Sequence, residues 1–213
     1  QGLLDAIRDF GITALGYEEH SMTAGELLRY QDTLGVKLIP MDGKINSFRS
    51  VKEPWELERM QKAQDITDEA FSKVLKRIHA GMTEKEVQAE LIYCLYACGG
   101  EGLSFDPIVV SGPNTSLPHG VATDRVIEPG DFITMDFGVI WHGYCSDMTR
   151  TVAVGYATEE MKKVYDTVLK AQLAGIAAIR VGATGQEVDG AARKVIADAG
   201  YGEFFGHSFG HSL

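Results

Sequence analysis

Along the chain, apolar and polar positions alternate between helical and strand-like spacing. Between residues 54 and 79, Leu57, Met60, Ala63, Ile66, Phe71, Val74, Leu75 and Ile78 are spaced for one buried helical face. A second helix is predicted over 83–98. From Phe105 to about Gly155 the chain turns strand-rich, and helical spacing returns over 158–180 and 184–199. The first fifty residues differ. Leu3–Asp9 and Met22–Asp32 read as helices and Ile12–Tyr17 and Val36–Pro40 as strands, the end of a small α/β domain. The polar stretch "MDGKINSFRSVKEP" reads as a linker, giving expected domains at 1–50 and 51–213.

The helical segments repeat. Sliding Met60–Val87 by 101 positions onto Met161–Val188 leaves nine of 28 residues identical without a gap. The matches include Gly81/Gly182, Thr83/Thr184 and Glu86/Glu187, which share the pattern G-x-T-x-x-E. That pattern stops one helix at the Gly and opens the next with a capping box. The same two-helix punctuation in register points to an internal duplication. The first copy is followed by about fifty residues of strand, whereas after the second the chain runs through "GYGEFFGHSFGHSL". A second half cut short is therefore expected, and Gln1 in place of an initiator Met fits a processed or partial chain.

Composition narrows the setting. An apolar fraction of 45% supplies a sizeable core, and no apolar run approaches the eighteen or so residues of a membrane span. Thirty acidic against twenty basic residues leave a net charge of −10, which argues against a nucleic-acid or anionic-membrane surface. Three cysteines make an odd number, so a reducing, cytoplasmic setting is expected.

The chemistry concentrates in "DFITMDFGVIWHGYCSDMTRT", residues 131–151. A two-residue loop at His142-Gly143 would pair Trp141 with Tyr144 and Gly138 with Asp147. Asp136 and Asp147 then share a face as diagonal neighbours, with Cβ atoms roughly 7–8 Å apart. Two facing carboxylates inside a sheet repel unless a cation or a proton intervenes. Spacing alone leaves other readings open: a solvated face carrying both aspartates, or an Asp147–Arg150 pair. His119 lies in the polar loop "SGPNTSLPHGVATD", and His207 and His211 stand four apart in "FGHSFGHSL". Imidazole and carboxylate together suit first-row divalent metals. His20, His79 and His142 are read as structural.

At these residues the chain resembles the pita-bread metallopeptidases, which include Xaa-Pro aminopeptidase, Xaa-Pro dipeptidase (prolidase), methionine aminopeptidase and the metal-free creatinase. The similarity runs from about Ser50 onward, and "MDFGVIWHGYCSDMTRT" is closest to the Xaa-Pro branch. The resemblance implies an α+β pita-bread fold built from a duplicated helix-pair-plus-strand unit. It also implies hydrolysis of the Xaa-Pro bond, at the N-terminus of peptides or in dipeptides, through a dinuclear centre and bridging hydroxide. By the same resemblance Asp136 and Asp147 are metal ligands, Asp147 bridging both ions, and His211 is the histidine ligand. His119 and His207 match residues that contact substrate or move a proton. The implied metals are Mn²⁺ or Co²⁺, with Zn²⁺ also compatible. The partner is a peptide with proline at its second position, and a homodimer is expected only because relatives often dimerise. Two glutamate ligands of the family would fall beyond Leu213, so residues 1–213 alone are expected to be inactive. The rival readings are a creatinase-like enzyme, against which both retained aspartates speak, and a non-catalytic binding module of the same fold.

Overall fold

The protein is described here by a computed structural model over residues 2–211. The chain divides into two compact units, residues 1–57 and 58–213. No helix among the described residues is long and apolar enough to cross a membrane.

In the first unit, α1 (Gly2–Asp9) precedes the parallel strands β1 (Ala14–Tyr17) and β2 (Lys37–Pro40), with α2 (Ala24–Leu34) between them. Thr23 and Glu26 cap α2 reciprocally, satisfying backbone N–H groups that a helix start leaves without partners. The stretch expected to be a linker is instead largely helical: Asp42–Ser50 form α3. Its first turn is capped from a distance, since the Glu19 carboxylate accepts from the N–H groups of Met41 and Asp42 at 3.0 and 3.1 Å. A local reading does not see a cap supplied 22 residues upstream. His20 is structural, as expected: its backbone N–H donates to Asp42 Oδ2 at 2.7 Å, and its ring meets the same oxygen. One donor atom each from Glu19, His20 and Asp42 lies within 4.8 Å of the others. Both carboxylates are already engaged by backbone N–H groups, which accounts for the convergence.

The second unit carries the duplication. Helices α4 (Pro54–Val74) and α5 (Glu84–Ala97) come first, then strands, then α6 (Glu159–Ala178) and α7 (Gly185–Asp198). The expected punctuation is present in both copies. Gly81 and Gly182 have φ of 97° and 85°, and Thr83/Glu86 and Thr184/Glu187 form complete capping boxes. The strands make two antiparallel sheets. β4 (Ile108–Ser111), β5 (Phe132–Phe137) and β8 (Met148–Ala153) form one; β3 (Gly102–Leu103), β6 (Val139–Trp141) and β7 (Tyr144–Cys145) form the other.

Alternation along β5 assigns its two faces. Ile133, Met135 and Phe137 are buried in one core with Ala63, Ile66, Ala70 and Val74 of α4 and Val87 and Leu91 of α5. Phe132, Thr134 and Asp136 point the other way and are only half-buried. The buried stripe of α4 is narrower than its periodicity predicted. Leu57 is 54% exposed, and Leu75, 41% exposed, falls just past the helix end at Val74, short of the expected 79, while Thr67 is wholly buried. Thr67 tolerates that position because its hydroxyl donates to the Ala63 carbonyl and lies 2.6 Å from Ser146 Oγ. Ser146 Oγ in turn accepts from the Val139 N–H at 3.0 Å, fastening α4 to the β6–β7 hairpin. A smaller core joins α6 and α7 through Ala171, Ala192 and Ile196, with Phe205 and Phe209 packed against it.

Glu84 and Asp131 are two carboxylates through which this unit is sensitive to acid. Burial pushes both Glu84 and Asp131 upward, but hydrogen bonds win. Thr123, Asn114 and Ser111 hold Glu84 below the ordinary range, and Arg125 with the Glu128 N–H does so for Asp131. A depressed folded pKa gives stability that is complete above the unfolded value and lost as pH falls through the folded one. Through these two groups the melting temperature should be level from pH 7 to about 5 and fall below about 4. Glu84→Gln should fall less steeply over that window. Parallel melting curves for the two proteins below pH 4 would contradict this.

Candidate metal centre

The hairpin places the two aspartates. His142 and Gly143 both have positive φ, 48° and 81°, the geometry of a tight two-residue loop whose twist matches its strands. Trp141 pairs with Tyr144 and Ile140 with Cys145, as the loop predicts. Further down, Phe137 pairs with Met148 and Asp136 with Thr149. The register is continuous across Gly138, which falls opposite Asp147. There the strands approach so closely that a Cβ on Gly138 would lie 1.9 Å from the Ser146 carbonyl oxygen. Asp136 and Asp147 are thus diagonal neighbours on the face of β5 turned away from the core.

Each carboxylate is half-buried. Asp136 Oδ1 accepts from the Thr149 hydroxyl at 2.8 Å. Asp147 is 27% exposed, and its Oδ2 lies 3.5 Å from His211 Nε2. Burial first, and the Asp136 charge second, raise the Asp147 pKa, while His211 pulls the other way. Among the described residues no Asp147–Arg150 pair is formed; the Arg150 guanidinium donates instead to the Thr149 carbonyl at 2.8 Å. Two repelling half-buried carboxylates and the exposed His211 imidazole beside them form a donor set that a divalent first-row cation would satisfy.

His119 and His207 meet each other. Their rings stand edge to face with centroids 5.6 Å apart, and both are exposed. The segment around His207 is held by α7, a role no local pattern signalled. Asp189 grips Arg193 at 2.8 and 3.2 Å. Arg193 donates to the carbonyls of Phe205 and His207 at 2.8 and 2.9 Å, and Asp189 accepts from the Phe209 N–H at 2.8 Å. The visible signal was an Asp–Arg pair at i,i+4, which on a helix usually marks only a solvated salt bridge. The remaining second-unit histidines behave as structural groups. His142 stacks on Trp141 and pairs with Glu101 at 2.8 Å, and His79 meets the Ala80 carbonyl at 2.9 Å.

A model described as "Metallopeptidase family M24" matches residues 58–213. An uncharacterized peptidase of Bacillus subtilis (strain 168), YqhT, is 42% identical, over 100% of this chain and 61% of that protein. Among solved structures, an Xaa-Pro dipeptidase from Bacillus anthracis superposes with a TM-score of 0.93 at 40% identity, over 97% of this chain and 58% of that one. An X-Pro aminopeptidase from Thermotoga maritima MSB8 gives 0.90 at 39% identity, over 94% and 57%. The chain thus spans about three fifths of the length of these relatives.

Proposed function

The chain belongs to metallopeptidase family M24 and has its pita-bread fold, and on that premise we propose that this protein is a metal-dependent peptidase for Xaa-Pro bonds. The observation that carries the reading is the 3.5 Å approach of His211 to Asp147, with Asp136 its diagonal neighbour on the strand pair. The names of the similar structures, a dipeptidase and an aminopeptidase, support proline at the second position of a peptide or dipeptide.

In this reading Asp136, Asp147 and His211 would hold two divalent ions, the carboxylates as oxygen donors and the imidazole as a nitrogen donor. Mn²⁺ or Co²⁺ is the favoured metal, and the donor set also admits Zn²⁺. Bound there, divalent ions supply charge that polarises a carbonyl and brings the pKa of water toward neutrality. The chain's own task is proton handling. The nitrogen of an Xaa-Pro bond carries no hydrogen, so it must gain a proton to leave. His119 and His207, facing each other on exposed segments, are the groups assigned to deliver that proton and to steady the developing charge.

His119→Ala in the full-length protein should lower turnover of an Xaa-Pro peptide by about a hundredfold or more, with metal content unchanged. Steady-state kinetics beside elemental analysis decides it. Loss of metal would make His119 a ligand, and unchanged turnover would remove it from the reaction.

A further inference from the structure

We propose that Glu84 is the positioning residue of the His119 loop: one buried carboxylate clamps both ends of segment 111–123. This rests on the peptidase reading for its catalytic meaning, though the clamp itself stands on geometry. Glu84 has no exposed surface. Its Oε1 accepts from the Ser111 N–H at 2.7 Å, the Ser111 hydroxyl at 2.9 Å and the Asn114 amide at 3.1 Å. Its Oε2 accepts from the Thr123 N–H at 2.9 Å and the Thr123 hydroxyl at 2.7 Å. One oxygen thus serves the segment's entry and the other its exit. His119 lies between them, exposed.

Helix capping does not require this residue. The Thr83/Glu86 box is complete without it, and the duplicated helix α7 opens with the equivalent box, Thr184/Glu187. At the position matching Glu84 that second copy has Gly185. The carboxylate is therefore an addition specific to the half that carries the His119 loop. Its burial would be costly without full satisfaction, and here five donors converge on about four lone-pair directions. A positive charge stands one hydrogen bond away: Arg125 Nη1 donates to Ser111 Oγ at 2.7 Å and to Asp131 at 2.6 Å. Backbone bonds dock the exit segment on the same turn, with the Glu84 N–H on the Arg125 carbonyl at 3.1 Å and the Lys85 N–H on the Thr123 carbonyl at 3.2 Å. Loosening the carboxylate would free a loop end while the backbone of α5 stays in place.

Glu84→Gln tests this in the full-length protein, because an amide keeps the size but turns an NH₂ donor toward the N–H and hydroxyl of one loop end. Expected are a fall of about tenfold in kcat, KM and metal content within about twofold, and faster hydrogen exchange confined to 112–122. Adding His119→Ala should then cost little beyond His119→Ala alone, the non-additivity of groups acting as a unit. Thr123→Val, which removes a hydroxyl that donates to Glu84 and accepts from the Arg125 N–H but leaves the carboxylate in place, should show the same pattern more weakly and covers a Glu84→Gln protein that fails to fold. Unchanged exchange in 112–122, or fully additive kinetic losses, would overturn the proposal. Should the wild-type protein cleave no Xaa-Pro peptide, the peptidase reading fails by itself. Faster exchange in Glu84→Gln would still establish the clamp.

Discussion

Asp147→Asn is expected to abolish metal loading and peptidase turnover together, while making the metal-free protein more heat-stable. The opposite signs follow from one geometry. Asp147 is mostly withdrawn from water and faces a second carboxylate across the strand pair. Burial and the Asp136 charge both disfavour its ionised form. In the metal-free protein at neutral pH that ionised form is a burden on the fold, because a raised carboxylate pKa means stability is lost as the group ionises. An amide of the same size removes the charge and the burden. With metal, the account reverses. The same charge becomes the attraction for a cation, and an amide offers only one neutral oxygen. Removing an outer partner of a metal ligand typically lowers affinity 10- to 100-fold, so losing a ligand itself should reduce activity by at least about a hundredfold. Melting with and without added Mn²⁺, alongside kinetics on an Xaa-Pro dipeptide, reads both effects. Near-normal metal content and turnover would sink the assignment of Asp147.

Gly138→Ala should produce the largest loss of stability. A methyl group there would sit 1.9 Å from the Ser146 carbonyl oxygen, 2.4 Å from Ser104 Oγ and 2.7 Å from the Ser146 carbonyl carbon. Two of those three atoms are backbone, so no side-chain rotation relieves the clash. The segment carrying Ser146 must move, and with it the Ser104 hydroxyl bond to the Ser146 carbonyl at 2.8 Å and the buried Thr67–Ser146 contact. Overpacking of this kind costs about 3 kcal/mol, or roughly 6–12 °C in melting temperature for a domain of this size. Asp147 follows Ser146 directly, so metal affinity should fall as well. A melting temperature within about 2 °C of wild type would mean that the hairpin yields more easily than its contacts indicate.

Much of the fold is legible in short windows of the chain. The Thr-x-x-Glu boxes that open α5 and α7 lie within four residues, and the glycines before them mark the turn that precedes each box. The His142-Gly143 loop carries the strand register with it, which is why Asp136 and Asp147 could be placed on one face from spacing alone. Periodicity is less reliable at the edges: Leu57 fits the apolar stripe of α4 yet stays exposed ahead of its packed stretch, and Leu75 falls just past the helix end at Val74. Helix α3 was missed because its cap comes from Glu19. Glu84 looked like one more acid in a helix's first turn, and its partners lie 27 to 39 residues away.

By itself, then, the sequence determined the duplicated helix pairs, the hairpin register and the shared face of the two aspartates, since each depends on hydrogen bonds and side-chain directions repeating within a few residues. Only the tertiary structure decided that His211 reaches Asp147 and that His207 meets His119. It also decided that Glu84 closes both ends of the loop that carries His119, and that Arg193 holds the segment leading to His207. Those contacts join residues from 14 to 88 positions apart. Chain folding brings such residues together through packing of whole helices and strands, and no short-range spacing encodes where that packing ends.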